Sequence, residues 1–136
     1  MCMKVKEIMT TRIEQIDADQ TVFDAIEKMI ERRIRSLVVK FPGEDGADGI
    51  VTARDIVFKV IAQKKNLRQV KISEIASKPL ICVDQQTELG SVAELMEESN
   101  VERVFVRDDD KIIGVVALLD IMAGTLIMRA RGQNVI

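Results

Sequence analysis

The residues with the clearest potential for chemistry lie in the stretch GIVTARDI, residues 49–56. A hydroxyl at Thr52 and a carboxylate at Asp55 follow a short apolar run, at the point where the pattern changes from strand to helix. A helix N-terminus offers N–H groups and a partial positive charge to a phosphate. A carboxylate at the same place can accept hydrogen bonds from both hydroxyls of a ribose. Gly49 has no side chain and would let a ligand approach the backbone. The stretch predicts a phosphate-and-ribose site.

The same residues also fit a purely structural role. Thr52 and Asp55 have the spacing of a capping box, in which each side chain accepts a hydrogen bond from the other residue's backbone N–H. Such a cap stabilises a helix by ~1 kcal/mol without any ligand. The two interpretations are compatible, because a cap can be shared or displaced when phosphate arrives.

A near copy, GVVALLDI, covers residues 114–121. Asp120 takes the place of Asp55, but Ala117 stands where the first copy has Thr52. We therefore expect the second turn to lose one polar contact and its own cap. A lost hydrogen bond to a charged group is worth ~1.5–3 kcal/mol, about ten-fold or more in affinity. The two copies predict unequal sites, with the stronger one at Asp55.

Periodicity places these turns in a regular order of elements. Apolar spacing predicts a helix from Val22 to Arg33, preceded by a capping box of Thr21 and Asp24. An irregular strand is predicted at residues 12–17, and strands at 36–41 and 49–52 flank the loop PGEDGADG. A second helix is expected to follow the turn, up to Lys64.

This order occurs twice. Glu74 lies 67 positions after Glu7, and Gly114 lies 65 positions after Gly49, because the turn DDDK is shorter than the first loop. Agreement in both order and identity indicates an internal duplication. The predicted repeats are residues 1–66 and 67–136.

With its duplicated β-α-β-β-α order and GIVTARDI, the chain resembles a tandem pair of CBS domains, the Bateman module named after cystathionine β-synthase. The resemblance covers about Val5 to Ile127 and leaves no room for an attached enzyme domain, which implies a stand-alone module. It implies an α/β fold of two repeats packed with pseudo-twofold symmetry. In this family the clefts between repeats bind AMP, ADP, ATP or related adenosyl ligands such as S-adenosylmethionine, and pairs commonly form homodimers.

The resemblance also implies roles for single residues. Asp55 would bind the ribose diol, and Thr52 a ribose or phosphate oxygen. Arginines before the second strand of each repeat, or Arg54 in the turn, would reach phosphates, although each arginine can equally be a solvated surface charge. Segments 10–16 and 77–83 would contact the base. The candidate ligand-binding residues are Thr10, Ile13, Arg35, Gly49, Thr52, Arg54, Asp55, Ser77, Leu80, Arg103, Gly114 and Asp120.

Composition narrows the classes of function. With 20 basic and 22 acidic residues the net charge is -2, and aromatic residues make up 3%, which disfavours nucleic acid as a partner. The chain has no histidine, and Cys2 and Cys82 lie far apart. We therefore expect no metal site, no activity, no required cofactor and reduced thiols in a cytoplasmic protein. The N-terminus also lacks the apolar region of a signal peptide.

Residues 112–128 are apolar except for Asp120. Their period changes in the middle, which favours a buried strand and a buried helix over a bilayer span, so we expect no membrane association. We expect this helix to be covered by the first repeat or by another subunit. Met29, Met96, Met122 and Met128 are predicted in the core.

Two functional hypotheses follow. The first is a regulatory module that binds an adenine nucleotide and signals occupancy to a protein partner. The alternative is a ligand-free dimerisation or protein-interaction module, which the loss of the hydroxyl at Ala117 favours for one of the two sites.

Overall fold

The computed structural model describes residues 3–43 and 48–133. Cys2 and the centre of the loop PGEDGADG, residues 44–47, lie outside the described residues. The chain forms two compact units, which we name after their turn carboxylates. The Asp55 unit is Glu14–Leu80, and the Asp120 unit combines Met1–Ile13 with Ile81–Ile136. Each unit contains a three-stranded sheet and two helices, so the predicted α/β class with two β-α-β-β-α repeats is confirmed.

The elements of the Asp55 unit are β1 (Gln15–Asp17), α1 (Val22–Arg32), β2 (Ser36–Lys40), β3 (Asp48–Thr52), α2 (Ala53–Ile56), a π-helical segment (Val57–Ile61) and a 3₁₀ helix (Ile72–Glu74). Its strands lie in the order β1-β2-β3, with β1 parallel to β2 and β2 antiparallel to β3.

Helix α1 begins and ends where its sequence indicates. Asp24 N–H donates to Thr21 Oγ1 at 3.3 Å, and Thr21 N–H donates to Asp24 Oδ2 at 3.0 Å, so the predicted capping box is confirmed. The helix ends at Arg32, and Arg33, whose φ of 56° is left-handed, caps its last turn.

The second helix is less regular than predicted. After the four residues of α2, the backbone widens into a π-helical segment, and Ala62 N–H donates to Val57 O at 2.8 Å. Ile56 and Val60 are buried, while Val57, Phe58 and Ile61 are exposed. The helix therefore keeps one face in the core and leaves an apolar face uncovered.

The elements of the Asp120 unit are a 3₁₀ helix (Val5–Glu7), β4 (Cys82–Asp84), α3 (Leu89–Ser99), β5 (Arg103–Asp108), β6 (Lys111–Ala117) and α4 (Leu118–Ala130). It repeats the plan of the Asp55 unit, with β4 parallel to β5 and β5 antiparallel to β6.

The units and the sequence repeats have different boundaries. The N-terminal 3₁₀ helix belongs to the first repeat in sequence but packs in the Asp120 unit, where Val5 N–H donates to Thr87 O at 2.7 Å. The 3₁₀ helix of the second repeat packs in the Asp55 unit, where Ile72 N–H donates to Gln20 O at 2.9 Å. Each unit is therefore completed by the segment that opens the other repeat.

Glu7 joins the N-terminal segment to the end of α4. Its carboxylate accepts the Lys4 N–H at 2.8 Å and lies 3.2 Å from Arg131 Nη1. The backbone hydrogen bond first, and then the guanidinium, lower the pKa of Glu7 below its ordinary value of 4.5. Since a depressed carboxyl pKa stabilises the fold above the unfolded pKa, this contribution is lost only as the pH falls through the folded value.

One face of α4 is exposed in the single chain, so the expectation that another subunit covers it stays a prediction. Met29, Met96 and Met128 are core residues as predicted, but Met122 is exposed together with Leu119. Apolar side chains lie around most of helix α4, whereas its own unit buries only Gly124 and Met128. Among the described residues, no helix is long and apolar enough to cross a bilayer.

Candidate functional site

The Asp55 turn is a complete capping box. Strand β3 ends at Thr52, whose N–H and Oγ1–H donate to Asp55 Oδ2 at 2.9 and 3.0 Å. In return, Asp55 N–H donates to Thr52 Oγ1 at 3.2 Å. The carboxylate is therefore held in one orientation at the helix start, and 16% of its side chain is exposed.

Lys59 forms an ion pair with the other oxygen of the Asp55 carboxylate. Its Nζ lies 3.1 Å from Asp55 Oδ1 and donates to Ile75 O at 3.0 Å. Our interpretation of the sequence missed Lys59, although a lysine four residues after an aspartate on a helix is a recognised pairing signal. A carboxylate offers about four acceptor positions, of which three are used here. A ribose diol donating two hydrogen bonds would therefore take the free position and displace Lys59.

Three backbone donors of this turn also have acceptors. Ala53 N–H donates to Arg35 O at 2.9 Å, while the N–H groups of Thr52 and Asp55 are used in the capping box. Fewer N–H groups of this turn are therefore available to a phosphate than the sequence led us to expect. A phosphate here would depend more on side-chain cations.

The segment Ser77 to Leu80 lies alongside β3. Ser77 and Ile50 exchange two backbone hydrogen bonds of 2.9 Å, and Leu80 N–H donates to Asp48 O at 2.9 Å. Ser77 is exposed, whereas the Leu80 side chain is 8% exposed and mostly belongs to the core. The fold thus places an accessible main-chain segment next to the strand that leads into the Asp55 turn.

The backbone pairing of Ser77 with Ile50 requires a glycine at position 49. A Cβ atom at Gly49 would lie 2.6 Å from Ser77 O and 2.8 Å from the ring of Phe41. Gly49 therefore allows the protein's own backbone, at Ser77, to approach β3 closely. Lys78 lies over the same Phe41 ring at 4.2 Å and places a further cation next to Gly49.

The two predicted arginines of the Asp55 unit do not pair with the Asp55 carboxylate within the described residues. The Arg54 guanidinium stacks on the Phe58 ring at 4.6 Å, and Arg35 lines a groove between α1 and α2. Within the described part of the chain, neither forms an ion pair with Asp55, whose cationic partner is Lys59.

The Asp120 turn keeps half of a capping box. Ala117 N–H donates to Asp120 Oδ2 at 2.8 Å, while the expected loss of the side-chain cap at Ala117 is confirmed. What is missing is a side-chain acceptor for the Asp120 N–H, since alanine has none. The position equivalent to Lys59 is Gly124, so no lysine reaches this carboxylate from one turn further on. Arg103 is half-buried opposite Ala117 in the sheet.

The segment beside β6 matches the one beside β3. Thr10 and Val115 exchange two backbone hydrogen bonds of 2.9 Å, and a Cβ atom at Gly114 would lie 3.1 Å from Thr10 O and in overlap with Met9. The structure therefore separates the predicted residues into two sets. Thr10, Ile13, Arg103, Gly114 and Asp120 lie in the Asp120 unit, and Arg35, Gly49, Thr52, Arg54, Asp55, Ser77 and Leu80 lie in the Asp55 unit.

Within the described residues, no cluster of three or more metal-binding side chains occurs.

Comparison with known proteins assigns the architecture. The chain is 36% identical over 104 residues to an uncharacterized protein of Methanopyrus kandleri, a match covering 76% of this chain and 53% of that protein. It is 33% identical over 107 residues to the mitochondrial CBS domain-containing protein CBSX3 of Arabidopsis thaliana, covering 76% and 52%. The chain thus spans about half the length of these relatives.

A solved structure shows the same fold. The hexameric CBS-CP12 protein from bloom-forming cyanobacteria has a TM-score of 0.84 and 32% identity, over 90% of this chain and 67% of that chain. The sequence model of the CBS domain matches residues 5–62 and 72–124. Both repeats are covered, and the chain therefore belongs to the CBS-domain family and carries two copies of the domain.

Proposed function

We propose that this CBS-domain pair is a regulatory module that binds AMP, ADP, ATP or a related adenosyl ligand such as S-adenosylmethionine, and signals occupancy to a partner protein. CBS-domain pairs are in general regulatory modules for adenosyl ligands. The observation that supports this role here is the geometry of the Asp55 unit. An oriented carboxylate at a helix start and the exposed backbone near Ser77 both adjoin β3, although they are distant in sequence.

Each part of a nucleotide has a counterpart in this unit. The ribose hydroxyls would donate to Asp55 Oδ1, replacing the Lys59 ammonium. Lys59, once released, and Lys78 would supply positive charge to a phosphate. The base would use main-chain groups beyond Ser77, because the N–H and C=O of Ser77 already pair with Ile50.

We further propose that the two turns differ in affinity, with the stronger site at Asp55. Three donors hold the Asp55 carboxylate in place, whereas the structure gives Asp120 one, from Ala117 N–H. An oriented acceptor loses less conformational entropy when the ligand binds. Binding would regulate by stabilising one arrangement of the protein, to the extent that affinity differs between arrangements. We propose no catalytic step.

A second function, self-association, has independent support. Both units expose apolar helix faces, around Ile30 in the Asp55 unit and around Leu119 and Leu126 in the Asp120 unit. Contiguous apolar patches of this kind mark interaction sites. The cyanobacterial relative is hexameric. A homodimer without ligand would also cover these apolar faces. The alternative function is therefore a ligand-free assembly module.

Calorimetry with AMP, ATP and S-adenosylmethionine tests the ligand proposal. Asp55→Asn removes the charge that the ribose would contact, and we expect binding to weaken about ten-fold or more. Asp24→Asn is the matched control, because it damages the capping box of α1 in the same way but away from the proposed site. Lys65→Ala, at an exposed position, should leave affinity unchanged.

Two results would count against this proposal. Absence of heat and of any thermal shift at millimolar ligand would overturn nucleotide binding and leave self-association as the function. Equal losses of affinity in Asp55→Asn and Asp24→Asn would overturn the assignment of the site.

A further inference from the structure

Lys59 gives the Asp55 turn a cation from within its own unit. Its Nζ lies 3.1 Å from Asp55 Oδ1 and donates to Ile75 O at 3.0 Å. An ammonium group has three donors, so one of them has no acceptor in the described part of the chain. The Lys59 side chain is 48% exposed, which leaves this donor open to a ligand.

A ribose would act differently on the two contacts of Lys59. Hydroxyls that donate to Asp55 Oδ1 take the place of the ammonium there, whereas Ile75 O can keep its hydrogen bond with Lys59. Ile75 is buried in the core, and its N–H donates to Ile72 O at 3.0 Å, so its carbonyl is held in place. A displaced Lys59 ammonium would therefore remain beside the turn.

The charge of the ligand then decides how favourable the exchange is. In the structure, the charges of Asp55 and Lys59 compensate each other. Hydroxyl groups are neutral, so a ribose alone leaves the ammonium without its anionic partner. A lost hydrogen bond to a charged group lowers affinity about ten-fold or more. A phosphate on the same ligand would accept from the ammonium and restore a charged pair.

Other residues do not duplicate this arrangement. Arg54, next to Asp55 in sequence, stacks on the Phe58 ring at 4.6 Å. In the Asp120 turn, the position equivalent to Lys59 is Gly124, which has no side chain. The structure therefore puts a competing cation on one of the two turn carboxylates through this position, and on that one only.

We infer that Lys59 determines ligand specificity at the Asp55 turn, where it disfavours adenosyl ligands without a phosphate and favours those that carry one. AMP, ADP and ATP belong to the favoured class. Adenosine belongs to the disfavoured class, and so does S-adenosylmethionine, whose sulfonium adds positive charge. This inference rests on the nucleotide binding proposed above and narrows it to phosphorylated ligands.

Calorimetry with AMP and adenosine tests the role of Lys59, because the two ligands share base and ribose and differ only in the phosphate. An Asp120→Asn background confines the measurement to the Asp55 turn. The protein with Lys59 should bind AMP about ten-fold or more tightly than adenosine. Lys59→Met should weaken AMP binding about ten-fold, while adenosine affinity stays equal or rises because the competitor for Asp55 is gone. Structural damage would instead weaken both ligands.

Two further variants serve as controls in the same background. Lys59→Arg keeps the positive charge and should keep the preference for AMP. Lys65→Met makes the same change of charge at an exposed position of the Asp55 unit and should leave both affinities unchanged.

The outcomes separate this inference from the proposed function. Absence of heat with AMP, adenosine and S-adenosylmethionine would overturn nucleotide binding itself, and the role of Lys59 with it. If AMP binds, an equal affinity for adenosine or S-adenosylmethionine would overturn only the role of Lys59. A preference for AMP that survives in Lys59→Met, or is lost to the same extent in Lys59→Arg, would do the same.

Discussion

Gly49→Ala is the substitution whose consequence the structure defines best. The added Cβ atom would lie 2.6 Å from Ser77 O and 2.8 Å from the Phe41 ring. Phe41 can turn, but Ser77 O is a backbone atom fixed by its hydrogen bond to Ile50 N–H. The segment Ser77 to Leu80 must therefore move away from β3.

The size of the effect follows from the bonds that this movement breaks. Ser77 and Ile50 exchange two backbone hydrogen bonds, each worth ~1 kcal/mol net. Losing both, with some loss of packing, should lower the free energy of unfolding by about 2–3 kcal/mol. For a chain of this size the melting temperature should fall by about 6–9 °C.

Thermal and urea unfolding followed by circular dichroism measure this loss. Gly90→Ala is the matched control, because a Cβ atom at Gly90 meets nothing within 4 Å and the residue lies inside α3. That control should raise stability by ~0.5–1 kcal/mol, since alanine favours a helix over glycine. Hydrogen exchange should show faster exchange at Ile50 and Ser77 in Gly49→Ala.

A fully stable Gly49→Ala protein would refute this reasoning. Unchanged exchange at Ile50 and Ser77 would show that the segment accommodates a side chain without moving. If instead stability falls as expected, nucleotide affinity should fall with it, since the displaced segment is the proposed contact for the base.

Two further substitutions test the turns themselves. Ala117→Thr supplies the missing acceptor for the Asp120 N–H and should raise the free energy of unfolding by ~1 kcal/mol in urea titrations; a neutral result would show that this turn cannot form a complete box. Lys59→Met removes the ion pair with Asp55, and because the Lys59 side chain is 48% exposed the loss of stability should be small, ~0.5 kcal/mol or less. Calorimetry with adenosine, which has no phosphate, should then show affinity equal to or above that of wild type; a ten-fold loss would contradict our view that Lys59 competes with ribose.

Much of the fold could be predicted from the sequence because its signals are local. The capping box of Thr21 and Asp24 and the start of α1 at Val22 depend on residues within a few positions of one another. The capping box of Thr52 and Asp55 was predicted for the same reason. The duplication could be read from the repeated order of elements and confirmed by the CBS-domain match.

The surroundings of the site could not be predicted in the same way. Exposure of Met122 depends on how much of α4 its own unit can cover, which apolar content does not reveal. Lys59 had a local signal, but its second contact, with Ile75 O, joins residues 16 apart. Arg35 and Arg54 are suitable cations by type, yet the fold directs one to a groove and the other to Phe58.

The sequence by itself determined two turns with an aspartate at a helix start, and the difference between them at Ala117. Only the tertiary structure decided which segment lies beside each turn. Ser77 pairs next to the Asp55 turn and Thr10 next to the Asp120 turn, so each unit takes its neighbouring segment from the other repeat. The physical reason is that backbone hydrogen bonds between strands do not depend on the type of residue. Gly49 and Gly114 permit the contact but do not specify which segment makes it.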